Sequence, residues 1–108
     1  MPLFMTQASY NSDAWATQIS NPQDRAATLR AAIEAAGGKL HAFYYSFGEY
    51  DAVLISEAPD NETIASILIA AAGGGAVSKL KTTTLMSSEE GLSAIKGAGK
   101  VGYQPPSH

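Results

Sequence analysis

Few side chains in this sequence are suited to acid–base chemistry, and most of them fall in Phe43-Tyr44-Tyr45-Ser46-Phe47-Gly48-Glu49-Tyr50-Asp51. Three of the five tyrosines lie here, Asp51 directly follows Tyr50, and His41 stands two residues ahead of Phe43. In a two-stranded ribbon, Tyr44, Ser46 and Asp51 would share one face near the turn, because strand residues alternate faces. A carboxylate gathered with phenols can hold a proton or orient a substrate, with Asp51 or His41 as acceptor and Tyr44 or Tyr50 as donor. Lys79 or Lys81 could add a cation from a later strand. Asp51 also has a purely structural role open to it, as a strand-end acid accepting backbone N–H groups beside a turn. His41 has no second histidine or carboxylate at ligand spacing, so no metal site is expected. The other histidine, His108, ends the chain. With no cysteine, thiolate ligands, disulfides and cysteine nucleophiles are excluded, and nothing in the sequence implies a cofactor.

The element that must position these groups is a β-hairpin. Gly48-Glu49 suits a two-residue type II′ turn, which would pair Phe47 with Tyr50, Ser46 with Asp51, Tyr45 with Ala52, Tyr44 with Val53 and Phe43 with Leu54. One face then carries His41, Phe43, Tyr45, Phe47, Ala52 and Leu54. The other carries Leu40, Ala42, Tyr44, Ser46, Val53 and Ile55, with Asp51 among them. Both faces are largely apolar or aromatic, which a sheet with one solvated face would not show. The bulkier set suits the wall beneath helices, its large aromatics filling the space that Ala-rich helices leave. The second set is then an open face that a second copy of the chain would cover, giving a homodimer or higher homo-oligomer.

The rest of the chain supplies partners for the hairpin. Leu3 to Tyr10 reads as a strand, stopped by Asn11-Ser12. A short helical turn capped by Ser12 or Asp13 runs through Ile19 and contains Trp15. Asn21-Pro22 signals the next helix start, and Ala26, Leu29, Ile33 and Ala36 make its apolar stripe before Gly37-Gly38 ends it. After the hairpin, Asp60 or Asn61 caps a helix with Ile64, Ile67, Leu68 and Ala71 on one side. Gly73-Gly74-Gly75 stops that helix; following a helix rather than opening one, it lacks the amides of a phosphate cradle. Val77 to Met86 is the last strand, and Ser87 with Glu90 forms a capping box for a short terminal helix. Strand, helix, hairpin, helix, strand is the ferredoxin-like βαββαβ arrangement: α+β, with a four-stranded antiparallel sheet and helices on one face.

Composition narrows the class. The chain has 108 residues, 45% of them apolar, enough for one folded domain. A net charge of −3 with scattered Lys and Arg carries no nucleic-acid footprint. No apolar run is long enough to span a bilayer, and the start lacks a secretion signal, so no membrane partner is expected and a cytoplasmic location is.

The motif Phe-Tyr-x-x-x-Gly-x-Tyr-Asp at Phe43 to Asp51 resembles the signature of the GYD domain family. Gly37-Gly38, Glu57-Ala58-Pro59-Asp60 and Lys81-Thr82-Thr83-Thr84-Leu85 match its other marks in order, so the likeness covers residues 1 to 90. Residues 91–108, the end of the terminal helix and a Gly/Pro-rich tail, lie outside it, and Trp15 departs from its usual first helix. The resemblance implies a small bacterial or archaeal protein of ferredoxin-like fold, similar to the dimeric α+β barrel group, and no particular reaction. The expectation is a small homo-oligomeric domain with room for a small molecule between sheet and helices, using Tyr44, Tyr50, Asp51 and His41. The alternative, implied by the same group, is a cofactor-independent enzyme of monooxygenase or isomerase type.

Overall fold

Every helix begins where a short polar side chain takes over an otherwise unpaired amide. In the computed structural model, which describes residues 1–106, the elements are β1 (Leu3–Tyr10), α1 (Ser12–Ser20), α2 (Arg25–Ala35), β2 (Lys39–Tyr45), β3 (Ala52–Glu57), α3 (Asn61–Gly73), β4 (Val77–Leu85) and α4 (Ser88–Ala98). Asp60 accepts from the Thr63 amide at 2.8 Å to start α3. Ser87 and Glu90 form the expected capping box of α4, with both bonds at 3.1 Å. Two caps differ from the sequence reading. Asn11, not Ser12 or Asp13, caps α1, accepting from the Ala14 amide at 2.9 Å. Asp24 caps α2 through the Ala27 amide at 3.1 Å. Asn21 closes α1 instead, donating its amide to the Thr17 carbonyl at 2.8 Å, which leaves Pro22 in the linker. His108 lies outside the described residues.

The four strands form one antiparallel sheet in the order β2-β3-β1-β4, the ferredoxin-like α+β arrangement. Gly37 ends α2 with φ 88°, and Gly38 enters β2 where any Cβ would collide with the Glu57 carbonyl. Two buried clusters tie the sheet to the helices. Phe4, Ala58 and Ile64 form one; Ile33, Leu40 and Leu54 form the other, with Phe43 and Ile67 packed against it.

The hairpin departs from its expected geometry at both ends. Near the turn, Phe43–Leu54, Tyr44–Val53 and Tyr45–Ala52 pair as expected, but Phe47 and Tyr50 do not. Gly48 is not in the positive-φ region that a type II′ turn demands of its first central residue. The cause lies in β1: the Asp51 amide donates to the Ala8 carbonyl at 2.8 Å, which draws the start of β3 toward β1. The Ser46 hydroxyl donates to the Tyr50 carbonyl at 2.6 Å across the wider loop. Phe47 is fully exposed rather than set beneath a helix.

At the other end a bulge at His41 shifts the register, so that Leu40 pairs with Ser56. Leu40 therefore joins the helix-facing side and is buried, while His41 leaves it and bonds Glu57, Nε2 to Oε1, at 3.0 Å. The sequence reading had these two residues the other way round. A one-residue slip moves a side chain to the opposite face, and nothing in strict alternation marks where it happens.

The face away from the helices keeps Leu3, Met5, Val53 and Ile55 only partly covered, and Tyr44 is exposed. Helix α4 buries none of its residues and shows Leu92 and Ile95 to solvent. The radius of gyration is 17.5 Å, against about 13 Å for a compact domain of this length. No helix among the described residues is long and apolar enough to cross a membrane.

Candidate functional site

Strand alternation points Phe4, Thr6 and Ala8 of β1, and Ala52, Leu54 and Ser56 of β3, toward the helices. The helix stripes above them are short: Leu29 and Ile33 from α2; Ile64, Ile67, Leu68 and Ala71 from α3. Small residues on both walls, and aromatics displaced to the hairpin end, leave the middle of this layer unfilled. A cavity of about 330 Å³ results. Of the aromatics expected to fill this space only Phe43 packs beneath the helices; Phe47 is in solvent and Tyr45 is half exposed.

The cavity is mostly apolar, with its polar groups at defined places. Thr6 and Ser56 lie on the sheet floor, and the Thr6 hydroxyl is bonded to that of Thr82 at 3.1 Å. Tyr10, the last residue of β1, and Arg25, the first of α2, form one edge. A second, more polar hollow of about 200 Å³ beside α1 shares Tyr10, Arg25 and Ala76, so these side chains form the partition between the two. Trp15 packs edge-on against the Tyr10 ring, centroids 5.2 Å apart and planes at 74°, and fixes the ring's position. Burial raises the Tyr10 phenol above its ordinary value of 10.0; the Arg25 side chain beside it acts in the opposite direction, and the Tyr45 and Asp51 charges add to the rise.

The residues singled out from the sequence lie elsewhere, and none of the four lines this cavity. Asp51 uses its carboxylate to accept the Tyr10 backbone amide at 2.9 Å, just where the β1 register shifts between Ser9 and Tyr10. The same corner is held by Ser9, whose hydroxyl donates to the Glu49 carbonyl at 3.1 Å, and by Ser78, whose hydroxyl donates to the Ser9 carbonyl at 3.2 Å. Tyr50 does meet a lysine: the Lys79 ammonium stands 5.0 Å from its ring centroid, a cation–π contact. Tyr44 projects from the open face, and His41 sits at its bulge away from the turn. Asp51 and Tyr50 thus share one corner of the sheet, while His41 is separate from it.

Sequence reasoning missed Thr6, Ser56, Tyr10 and Arg25. A signal for the first two was present, since each is a hydroxyl residue at a core-facing position of a strand otherwise alternating correctly. Arg25 had none: its role depends on α2 beginning three residues later than Pro22 suggested.

Comparison with known proteins is consistent with this architecture. The GYD domain family matches residues 4–95. The crystal structure of MtbAldR (Rv2779c) superposes with a TM-score of 0.57 at 17% identity, covering 80% of this chain and 53% of that one. At that identity the likeness concerns the fold, and the present chain spans about half the length of that protein. No curated protein matches the sequence.

Proposed function

Because the chain belongs to the GYD domain family, with the match running almost the length of its ferredoxin-like fold, we propose that it is a homo-oligomeric binding domain that holds a small molecule between sheet and helices. The observation that carries this reading is the cavity of about 330 Å³, apolar, with a few polar groups fixed on rigid elements. Binding sites have this composition, whereas a well-packed core has no void of that size.

The oligomer is supported by a second observation. Leu3, Met5, Val53, Ile55 and Tyr44 form an apolar face without cover, and α4 adds Leu92 and Ile95. A second copy meeting that face isologously covers both partners at once. For the alternative, a cofactor-independent enzyme, the geometry offers less support: Asp51 is engaged with a backbone amide, and His41 with Glu57.

Light scattering and a neutral apolar probe test the proposal together. The scattering mass of the full chain is expected to exceed one protomer, and Ile55→Glu is expected to lower it. Octan-1-ol is expected to saturate the wild type and fail against Ala71→Leu, which fills the cavity from α3. A monomer at tens of micromolar overturns the assembly. An Ala71→Leu protein that binds octanol as the wild type does overturns the site.

A further inference from the structure

The cavity has a chemically polarised edge, which narrows what it would hold. Among the described residues, Arg25 is the only charged one lining it, and none of them brings a carboxylate to it. Among the described residues the sole ion pair is His41–Glu57, so Arg25 has no carboxylate partner. Its position in the chain does not account for it either. It opens α2, where the positive end of the helix dipole disfavours a cation. Yet the side chain is half-buried beside the Tyr10 phenol rather than extended into water. Asp51, the acid whose charge acts on Tyr10, directs an oxygen to the Tyr10 backbone amide at 2.9 Å and is occupied there.

We propose that the ligand of this cavity is a small amphipathic carboxylate, its acid group at the Arg25–Tyr10 edge and its apolar body between the sheet and helices α2 and α3. This rests on the reading that the cavity is a binding site. A planar guanidinium matches a carboxylate through two parallel N–H bonds, and a neutral phenol supplies one more donor. Burial raises the Tyr10 phenol above 10.0, so it keeps its proton at neutral pH. A phosphate would call for more than this single cation, and the edge has no second Lys or Arg to neutralise it. An ammonium would face Arg25 directly. At ~30 Å³ of liquid volume per water-sized atom, 330 Å³ holds roughly ten non-hydrogen atoms, the size of octanoate or phenylacetate.

The test compares octanoate, octan-1-ol and octylamine at neutral pH against the full-length wild type and the Arg25→Gln, Tyr10→Phe and Ala71→Leu variants. Titration calorimetry reads affinity, and circular dichroism checks that each variant folds. Octanoate is expected to bind the wild type about 10- to 100-fold more tightly than octan-1-ol, as a hydrogen-bonded charge pair gives. Octylamine is expected not to saturate. Arg25→Gln should remove the octanoate advantage and leave octanol unchanged, Tyr10→Phe should weaken octanoate a few-fold, and Ala71→Leu should abolish both. If octanol binds as tightly as octanoate, or Arg25→Gln keeps octanoate affinity, the carboxylate assignment falls and the cavity reading stands. If none of the three probes binds the wild type, both fall.

Discussion

Replacing Asp51 by alanine tests the junction on which the hairpin hangs. The Asp51 carboxylate accepts the Tyr10 amide at 2.9 Å, and its own amide donates to the Ala8 carbonyl at 2.8 Å. The β1–β3 ladder ends at Ala8–Ala52, so the Tyr10 amide has no strand partner on the β3 side, and the side chain of Asp51 supplies one. Alanine keeps the Asp51 main-chain bond and removes the bond to Tyr10, leaving a partly buried N–H without an acceptor. A hydrogen bond to a charged group together with the orphaned donor is worth about 2 kcal/mol. With a urea m-value of about 1.5 kcal/mol/M for a domain this small, the unfolding midpoint should fall by about 1 M. Asp51→Asn retains an acceptor oxygen and should cost about half as much. Urea melts followed by fluorescence give the midpoints, and amide exchange at Tyr10 reports the bond itself, protected in the wild type and fast in the alanine variant. A midpoint within about 0.2 M of wild type, with the Tyr10 amide still protected, would refute the anchoring role.

The bulge at His41 predicts that Leu40→Ala costs roughly 2–4 kcal/mol, since Leu40 is 5% exposed among Ile33 and Leu54. A loss below about 0.5 kcal/mol in chemical unfolding would return Leu40 to the open face. Ser87→Ala removes half of the α4 capping box, worth about 1 kcal/mol to that helix. Because α4 buries none of its residues, far-UV dichroism should lose helix signal while the main unfolding transition stays in place. Tyr10 sets an alkaline limit. Its folded pKa lies above the unfolded value of 10.0, so its stabilising contribution is complete below that pH and is lost as pH rises through the folded value. Urea melts at about pH 9 and pH 11 should therefore show a loss that Tyr10→Phe lacks; an identical loss in the variant would place the alkaline sensitivity elsewhere.

What the amino-acid sequence determined by itself was local and periodic. Leu3–Tyr10 as a strand, the stripes of Leu29–Ile33 and Ile64–Leu68, the Ser87–Glu90 box and the order of elements follow from side-chain spacing and capping chemistry within a few residues. The Phe43–Asp51 motif also pointed to the family that matches residues 4–95. Register and convergence were decided by the tertiary structure. The His41 bulge exchanges the faces of Leu40 and His41, and the bond from the Asp51 amide to β1 opens the expected tight turn. The site depends on that convergence: Thr6, Ser56, Tyr10 and Arg25 come from three elements and meet only when β1 lies beside β3 under α2. Tyr44, Tyr50, Asp51 and His41 looked like a site because they are close in sequence. In space Asp51 bonds a strand-end amide, Tyr50 stacks on Lys79, and the unfilled volume lies on the other face of the sheet from Tyr44. Neighbouring strand residues point to opposite faces, so closeness along the chain does not bring their side chains to one cavity.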